Sequence, residues 1–137
     1  MSVLPAGENA PIVRTDFSSD TAWRELCAAV RTPQPGYGFL ANVDLISNAA
    51  LERWSTAQVI ELATADSDRT FVLIADEETF RHRERPILVV DLFEDSRRSF
   101  RVVPGSVWSV ENNLSIGNLD FEDFLSACDA DGIFRGI

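Results

Sequence analysis

The chain has 137 residues, 45% hydrophobic and 25% charged, and its 22 acidic and 12 basic side chains leave a net charge of −10. That size and apolar content suit one folded domain with a real core and exclude an intrinsically disordered chain. The charge excludes nucleic acid and an anionic membrane as default partners, since both repel an acidic surface, and it steers towards a basic protein partner.

Residues 1–10 read as a loose N-terminal arm and residues 11–137 as a single domain. PIVRTD, residues 11–16, reads as the first strand. Ser18, Ser19 and Asp20 then supply capping oxygens and a first-turn acid for a helix. Its Trp23, Leu26, Cys27 and Val30 recur on one face, and Pro33 and Pro35 stop it. Beyond the turn Gly36-Tyr37-Gly38, Phe39, Ala41 and Val43 alternate with Leu40, Asn42 and Asp44, which predicts a second strand. Ser55-Thr56-Ala57-Gln58 is a capping box, with Trp54 and Val59 at staple positions, and it opens a helix running to about Ala63.

Asp66-Ser67-Asp68 reads as a turn. FVLIA, residues 71–75, is a continuous apolar run typical of a strand buried on both faces. Asp76 can cap a short helix from Glu77 to about His82. ILVVDLF, residues 87–93, is a fourth strand of the same kind; a hairpin loop follows, and residues 99–103 return antiparallel before Pro104. Ser106 is a candidate cap for a helix carrying Val107, Val110 and Leu114. Asp120 and Asp123 open a last helix with Phe121, Phe124, Leu125 and Cys128 on its apolar face, and Gly132 is placed to end it in the left-handed region.

The order β-α-β-α-β-α-β-β-α-α predicts an α/β fold: a mixed, mainly parallel five-stranded sheet in a single domain, with right-handed crossovers, flanking helices and an antiparallel edge hairpin. The N-terminus shows neither a basic region nor an apolar run, and no stretch approaches the roughly 20 apolar residues of a membrane helix, so a cytoplasmic protein is expected. Cys27 and Cys128 read as small buried hydrophobes rather than a disulfide.

The candidate sites start with the aspartates. Asp16, Asp44 and Asp76 close predicted strands, and Asp91 lies inside the fourth. In a parallel sheet such ends share the edge where ligands of open α/β folds bind, and carboxylates there suit magnesium. Capping accounts for Asp76, and loop opening for Asp44, without any ligand. No Lys and no phosphate-cradling glycine loop accompany them, so no metal and no cofactor are expected.

Arg81, His82, Arg83, Arg85, Arg97, Arg98 and Arg101 crowd into residues 81–101. They read as an anion site or, more simply, as a solvated hairpin paired with the protein's own acids. His82, the one histidine, reads as an exposed surface residue. No glycine elbow surrounds a serine, so no catalytic triad and no catalytic residue are assigned. Asp129-Ala130-Asp131-Gly132 fails as a calcium loop, because the required glutamate would fall beyond Ile137. Trp108, Glu111, Asn112 and Asn113 form a polar-aromatic cluster suited to a ligand rim, or to core closure and a helix cap.

Three stretches, IVRTDFSSDTAW (12–23), FRVVPGSVWSVENNLSIGNLDFEDF (100–124) and DGIFRG (131–136), resemble a family of small acidic actinobacterial proteins of unknown function. The resemblance spans about Pro11 to Ile137 and fits a chain whose basic residues are all Arg. It implies no activity. It directs attention to Arg14, Asp16, Trp108, Glu111, Asn112 and Asn113, which lie in those stretches. With Asp76 and Asp91 these are the candidate binding residues. The expectation for function is a non-catalytic acidic protein-binding or regulatory module, immunity-like; the alternative is a small enzyme or ligand-binding protein using the aspartate edge, magnesium-dependent. The sequence carries no signal for oligomeric state.

Overall fold

The computed structural model describes residues 4, 9–33, 38, 40–65, 69–93 and 97–136. Among them the elements run β1 (Ala10–Arg14), α1 (Asp20–Arg31), β2 (Val43–Ile46), α2 (Thr56–Ala65), β3 (Phe71–Ala75), α3 (Glu77–Arg81), β4 (Ile87–Asp91), β5 (Ser99–Val102), α4 (Val107–Ser115), α5 (Phe121–Ala127) and β6 (Ile133–Phe134). The expected turns at residues 36–37 and 66–68, Phe39, and residues 94–96 of the expected hairpin loop lie outside the described residues. So does most of the expected loose arm, but Leu4 is buried in the core and Ala10 belongs to β1.

Local signals set the helix starts. Ser19 Oγ accepts from the N–H of Ala22 at the head of α1. At α2, Ser55 N–H donates to Gln58 Oε1 and Gln58 N–H donates to Ser55 Oγ, the reciprocal pair of a capping box. Asp76 caps α3 and Asp120 caps α5, each in a capping box with the residue three positions on. Ser106, expected to cap α4, makes no side-chain cap hydrogen bond; a 3₁₀ turn at Pro104–Ser106 leads into that helix instead. The expected second strand keeps its phase but shifts in bounds: Ala41, Val43 and Leu45 all pack against one core cluster, and the ladder with β1 runs from Val43 to Ile46.

The six strands form one sheet in the order β2-β1-β3-β4-β5-β6. β1 is parallel to β2 and β3, β4 is antiparallel to both β3 and β5, and β6 is parallel to β5. The fold is therefore the expected mixed α/β domain with flanking helices, with two corrections. The sheet has six strands, not five, and its antiparallel pairs lie inside it rather than at an edge.

Chain length explains the reversal at β4. α3 has five residues, a rise of about 7.5 Å. β3 also has five, but extended, spanning about 16 Å. The whole connection, residues 76–86, is shorter than the dozen or more residues of a usual parallel crossover, and β4 begins beside the end of β3, with Ile74 opposite Leu88 and Phe71 opposite Asp91.

The two faces of the sheet hold separate cores. Ile12, Leu73, Val89 and Phe100 pack with α1, α4 and α5 on one face. Val13, Val72, Ile74 and Val90 pack with Leu4, Leu51 and α2 on the other. Phe100 lies 5.0 Å from Phe121 and 5.8 Å from Phe124 between ring centres, and Phe134 lies 5.1 Å from Phe124. Burying each such ring contributes about 1.5–3 kcal/mol before conformational entropy is counted.

Candidate functional site

Strand order fixes where a crevice opens. From β1 the chain crosses over one face to β2; from β2 it crosses over the other face, past β1, to β3. Connections therefore leave the carboxyl ends of neighbouring strands in opposite directions, the switch point where open α/β sheets bind ligands. A cleft of about 1210 Å³ lies there, lined by residues 15–18 after β1, residues 52–56 leading into α2, and residues 76–78 and 80–82 around α3.

The structure divides the aspartates. Asp16 and Asp76 both line the cleft. Asp16 is half-buried, and its Oδ1 accepts from Ser18 N–H at 2.8 Å, which shapes the turn into α1. Asp76 is held by Arg101, whose Nη1 and Nη2 donate to its two oxygens at 2.9 and 2.8 Å. Burial pushes the Asp76 carboxyl up, but the Arg101 hydrogen bonds and charge, with those of Thr79, hold it below the ordinary range.

Asp91 does not join them. Because β4 runs the other way, it sits opposite Phe71, at the far end of the sheet. There it is buried and bonds Arg98 at 3.1 Å. Asp44 is no strand end either; it lies within β2 opposite Pro11. The expected shared rim of carboxylates thus reduces to Asp16 and Asp76. Among the described residues no group of three or more His, Cys, Asp and Glu side chains is placed to hold a metal ion.

Arg14 is a buried structural hub, 3% exposed. Its Nε donates to the Asp16 carbonyl at 3.0 Å, its Nη1 to Ser47 Oγ at 3.2 Å and its Nη2 to Asp20 at 2.9 Å. Its guanidinium also lies 4.2 Å from the Phe17 ring centre. It ties the β1–α1 turn to the end of β2.

The Trp108 cluster lies on α4, away from the cleft. Glu111 is buried, accepting from the Asn42 N–H and the Ser115 hydroxyl, both at 2.7 Å. Asn112 and Asn113 donate back to the carbonyls of Trp108 and Ser109, and Trp108 is half-buried. These groups fasten α4 to the entry of β2.

Three of the crowded arginines pair with acids of the same chain: Arg81 with Glu77, Arg98 with Asp91 and Glu122, Arg101 with Asp76 and Glu78. Two cleft residues are not legible as site residues in the sequence. His82, expected at the surface, is half-buried in the lining, and its Nδ1 accepts from Glu84 N–H at 3.0 Å. Arg53 has φ of 63°, the left-handed region, and its backbone N–H donates to the Thr15 carbonyl at 2.8 Å. A strained non-glycine backbone is the structural mark of such a position, and sequence does not display it. Cys27 and Cys128 are free, half-buried thiols; burial pushes both up.

Residues 9–137 match the family model described as Domain of unknown function (DUF6924), and the chain belongs to that family. No curated protein matches it. Among the described residues no helix is long and apolar enough to cross a membrane.

Proposed function

We propose, taking membership of that family as the premise, that the domain is a non-catalytic binding module that engages a basic protein partner at the cleft beyond β1 and β3. One observation carries the reading. The cleft lining carries five acids, Asp16, Glu52, Asp76, Glu77 and Glu78, against Arg53 and Arg81; Arg101 offsets Asp76 and Glu78 and Arg81 offsets Glu77, so Asp16 and Glu52 are the carboxylates offered to a ligand. On a domain of net charge −10, a concave acidic lining concentrates the field on cationic ligands. The candidates Arg14, Asp76, Asp91 and Glu111 are each bonded internally, which favours binding over chemistry. The all-Arg base composition and the stretches quoted above support a cytoplasmic, actinobacterial setting.

Binding of a fluorescent Arg-Gly repeat peptide, with a Glu-Gly repeat as control, tests the reading. The Arg peptide is expected to bind, and to weaken about tenfold or more as salt rises from about 0.03 to 0.3 M. Asp16→Asn and Glu52→Gln are expected to weaken it further. Absence of Arg-peptide binding, or binding indifferent to both substitutions, overturns the reading.

A second reading, a magnesium-dependent ligand binder or small enzyme, draws on the shared position of Asp16 and Asp76. A rise in melting temperature with millimolar magnesium, lost in Asp16→Ala, supports it, since a ligand selective for the folded state must stabilise it. No rise ends it.

A further inference from the structure

The three walls of the cleft are not attached alike. Residues 15–18 and 52–56 adjoin β1 and α2, which are anchored in the two cores. The third wall is α3 and the bend after it. A helix of five residues has no stability of its own, since isolated helices below about 12 residues are marginal in water. Anchors of its own are few: Thr79 is buried and donates from Oγ1 to the Pro86 carbonyl at 2.8 Å, and Phe80 is only partly buried against the core.

Arginines hold the remainder. From β5, Arg101 takes both oxygens of Asp76, pairs with Glu78 through Nε, and donates to the Pro86 carbonyl at 3.1 Å. It therefore grips both ends of the segment at once. Arg85 donates to the Phe80 carbonyl at 2.9 Å, from a backbone with φ of 54°. Arg135 clamps both oxygens of Glu84 at 2.9 Å, while also holding Asp129 and Asp131. Charge-assisted bonds of this kind are strong, directional and weakened by salt. The core contact given up on breaking them is that of Phe80, itself only partly buried, so the segment can part from the molecule without melting the sheet.

We infer that residues 77–85 form a gate on the cleft, latched by Arg101 through Glu78 and by Arg135 through Glu84, which parts from the molecule and unravels while the sheet stays folded. Asp76 and Pro86 are its hinges. Opening widens the cleft on one side and frees the carboxylates of Glu78 and Glu84, so the gate sets how much of the acidic lining a ligand meets.

Hydrogen exchange on the full chain tests this without any ligand, so its outcome is independent of whether the cleft binds a basic partner. The amides of His82, Glu84 and Arg85 are bonded inside the segment and that of Phe80 to the Asp76 carbonyl, so all four report on it. In the unaltered chain they are expected to be less protected than the β1 and β3 amides by about tenfold or more, and Arg135→Gln and Arg101→Gln are expected to quicken them about tenfold or more further. Should Arg101→Gln fail to fold, Arg135→Gln and the unaltered chain in about 1 M NaCl supply the same comparison, because salt loosens the latch. Protection within residues 77–85 equal to that of β1 and β3 in the unaltered chain, or no acceleration there in Arg135→Gln, overturns the gate.

Discussion

Arg101 and Asp76 meet across β4. Arg101 lies opposite Leu88, Leu88 lies opposite Ile74, and the guanidinium reaches past that strand to both carboxylate oxygens just beyond β3. The pair is largely shielded, with side-chain exposures of 16% and 24%, so losing one partner leaves a charge in poor solvent. Asp76→Asn and Arg101→Gln are each expected to destabilise the domain by about 2–4 kcal/mol. In a double-mutant cycle read by urea unfolding, the coupling is expected at about 1–3 kcal/mol. Additive losses would show that the two residues act separately.

The same pair fixes the response to acid. Asp76, Glu84 and Asp131 are all held below their ordinary carboxyl values. For Asp76 burial opposes the shift and Arg101 outweighs it; for the other two the Arg135 hydrogen bonds lead. A depressed carboxyl contributes stability that is present above its unfolded value, about 4, and is lost as pH falls through its folded value. Stability is expected to stay level from about pH 7 to 5 and to fall below about pH 4, and Asp76→Asn is expected to flatten that fall. Urea midpoints measured against pH check the sign.

Glu111 offers a test away from the cleft. It is 3% exposed and joins α4 to the backbone before β2. Glu111→Ala strands the Asn42 N–H and the Ser115 hydroxyl and is expected to lower stability by about 1–3 kcal/mol. An unchanged denaturation midpoint would mean that water replaces the carboxylate without penalty.

Arg53 separates the proposed ligand charge from its opposite. Its φ of 63° suits glycine, so Arg53→Gly is expected to leave stability unchanged or raise it by up to about 1 kcal/mol. Removing a cation from an acidic lining should also tighten the Arg-Gly peptide, by about twofold or more. Weaker peptide binding in Arg53→Gly would contradict the proposed polarity of the cleft.

Core and surface phenylalanines should part sharply. Phe124 is fully buried, and Phe124→Ala is expected to lose about 3–5 kcal/mol. Phe93 is 59% exposed, and Phe93→Ala is expected to change stability by less than about 0.5 kcal/mol. Thermal unfolding of both variants checks the contrast.

The fold is legible wherever a local pattern has a local cause. Ser55 with Gln58, Asp76 and Asp120 announce helix starts because capping is decided within four residues. FVLIA announces a strand buried on both faces because α-helices do cover both. Direction is another matter. β4 looks like any buried strand, and its reversal goes with the short connection before it rather than with its own residues. β6 has two residues and shows no period. At the site, Asp16 and Asp76 are legible from their place at strand ends. Arg53 and His82 are not, because what brings them to the cleft is the switch in strand order and a left-handed backbone.

The brief β6 has a consequence for behaviour in concentrated solution. Its pairing occupies the outward backbone donors of the strand beside it: Arg101 N–H donates to the Gly132 carbonyl at 3.0 Å and Val103 N–H to that of Phe134 at 3.3 Å. A chain clipped before Gly132 would bare those donors next to Phe100 and Phe124, turning a sealed margin into a template for self-association. Residues 132–134 thus keep that margin of the sheet covered.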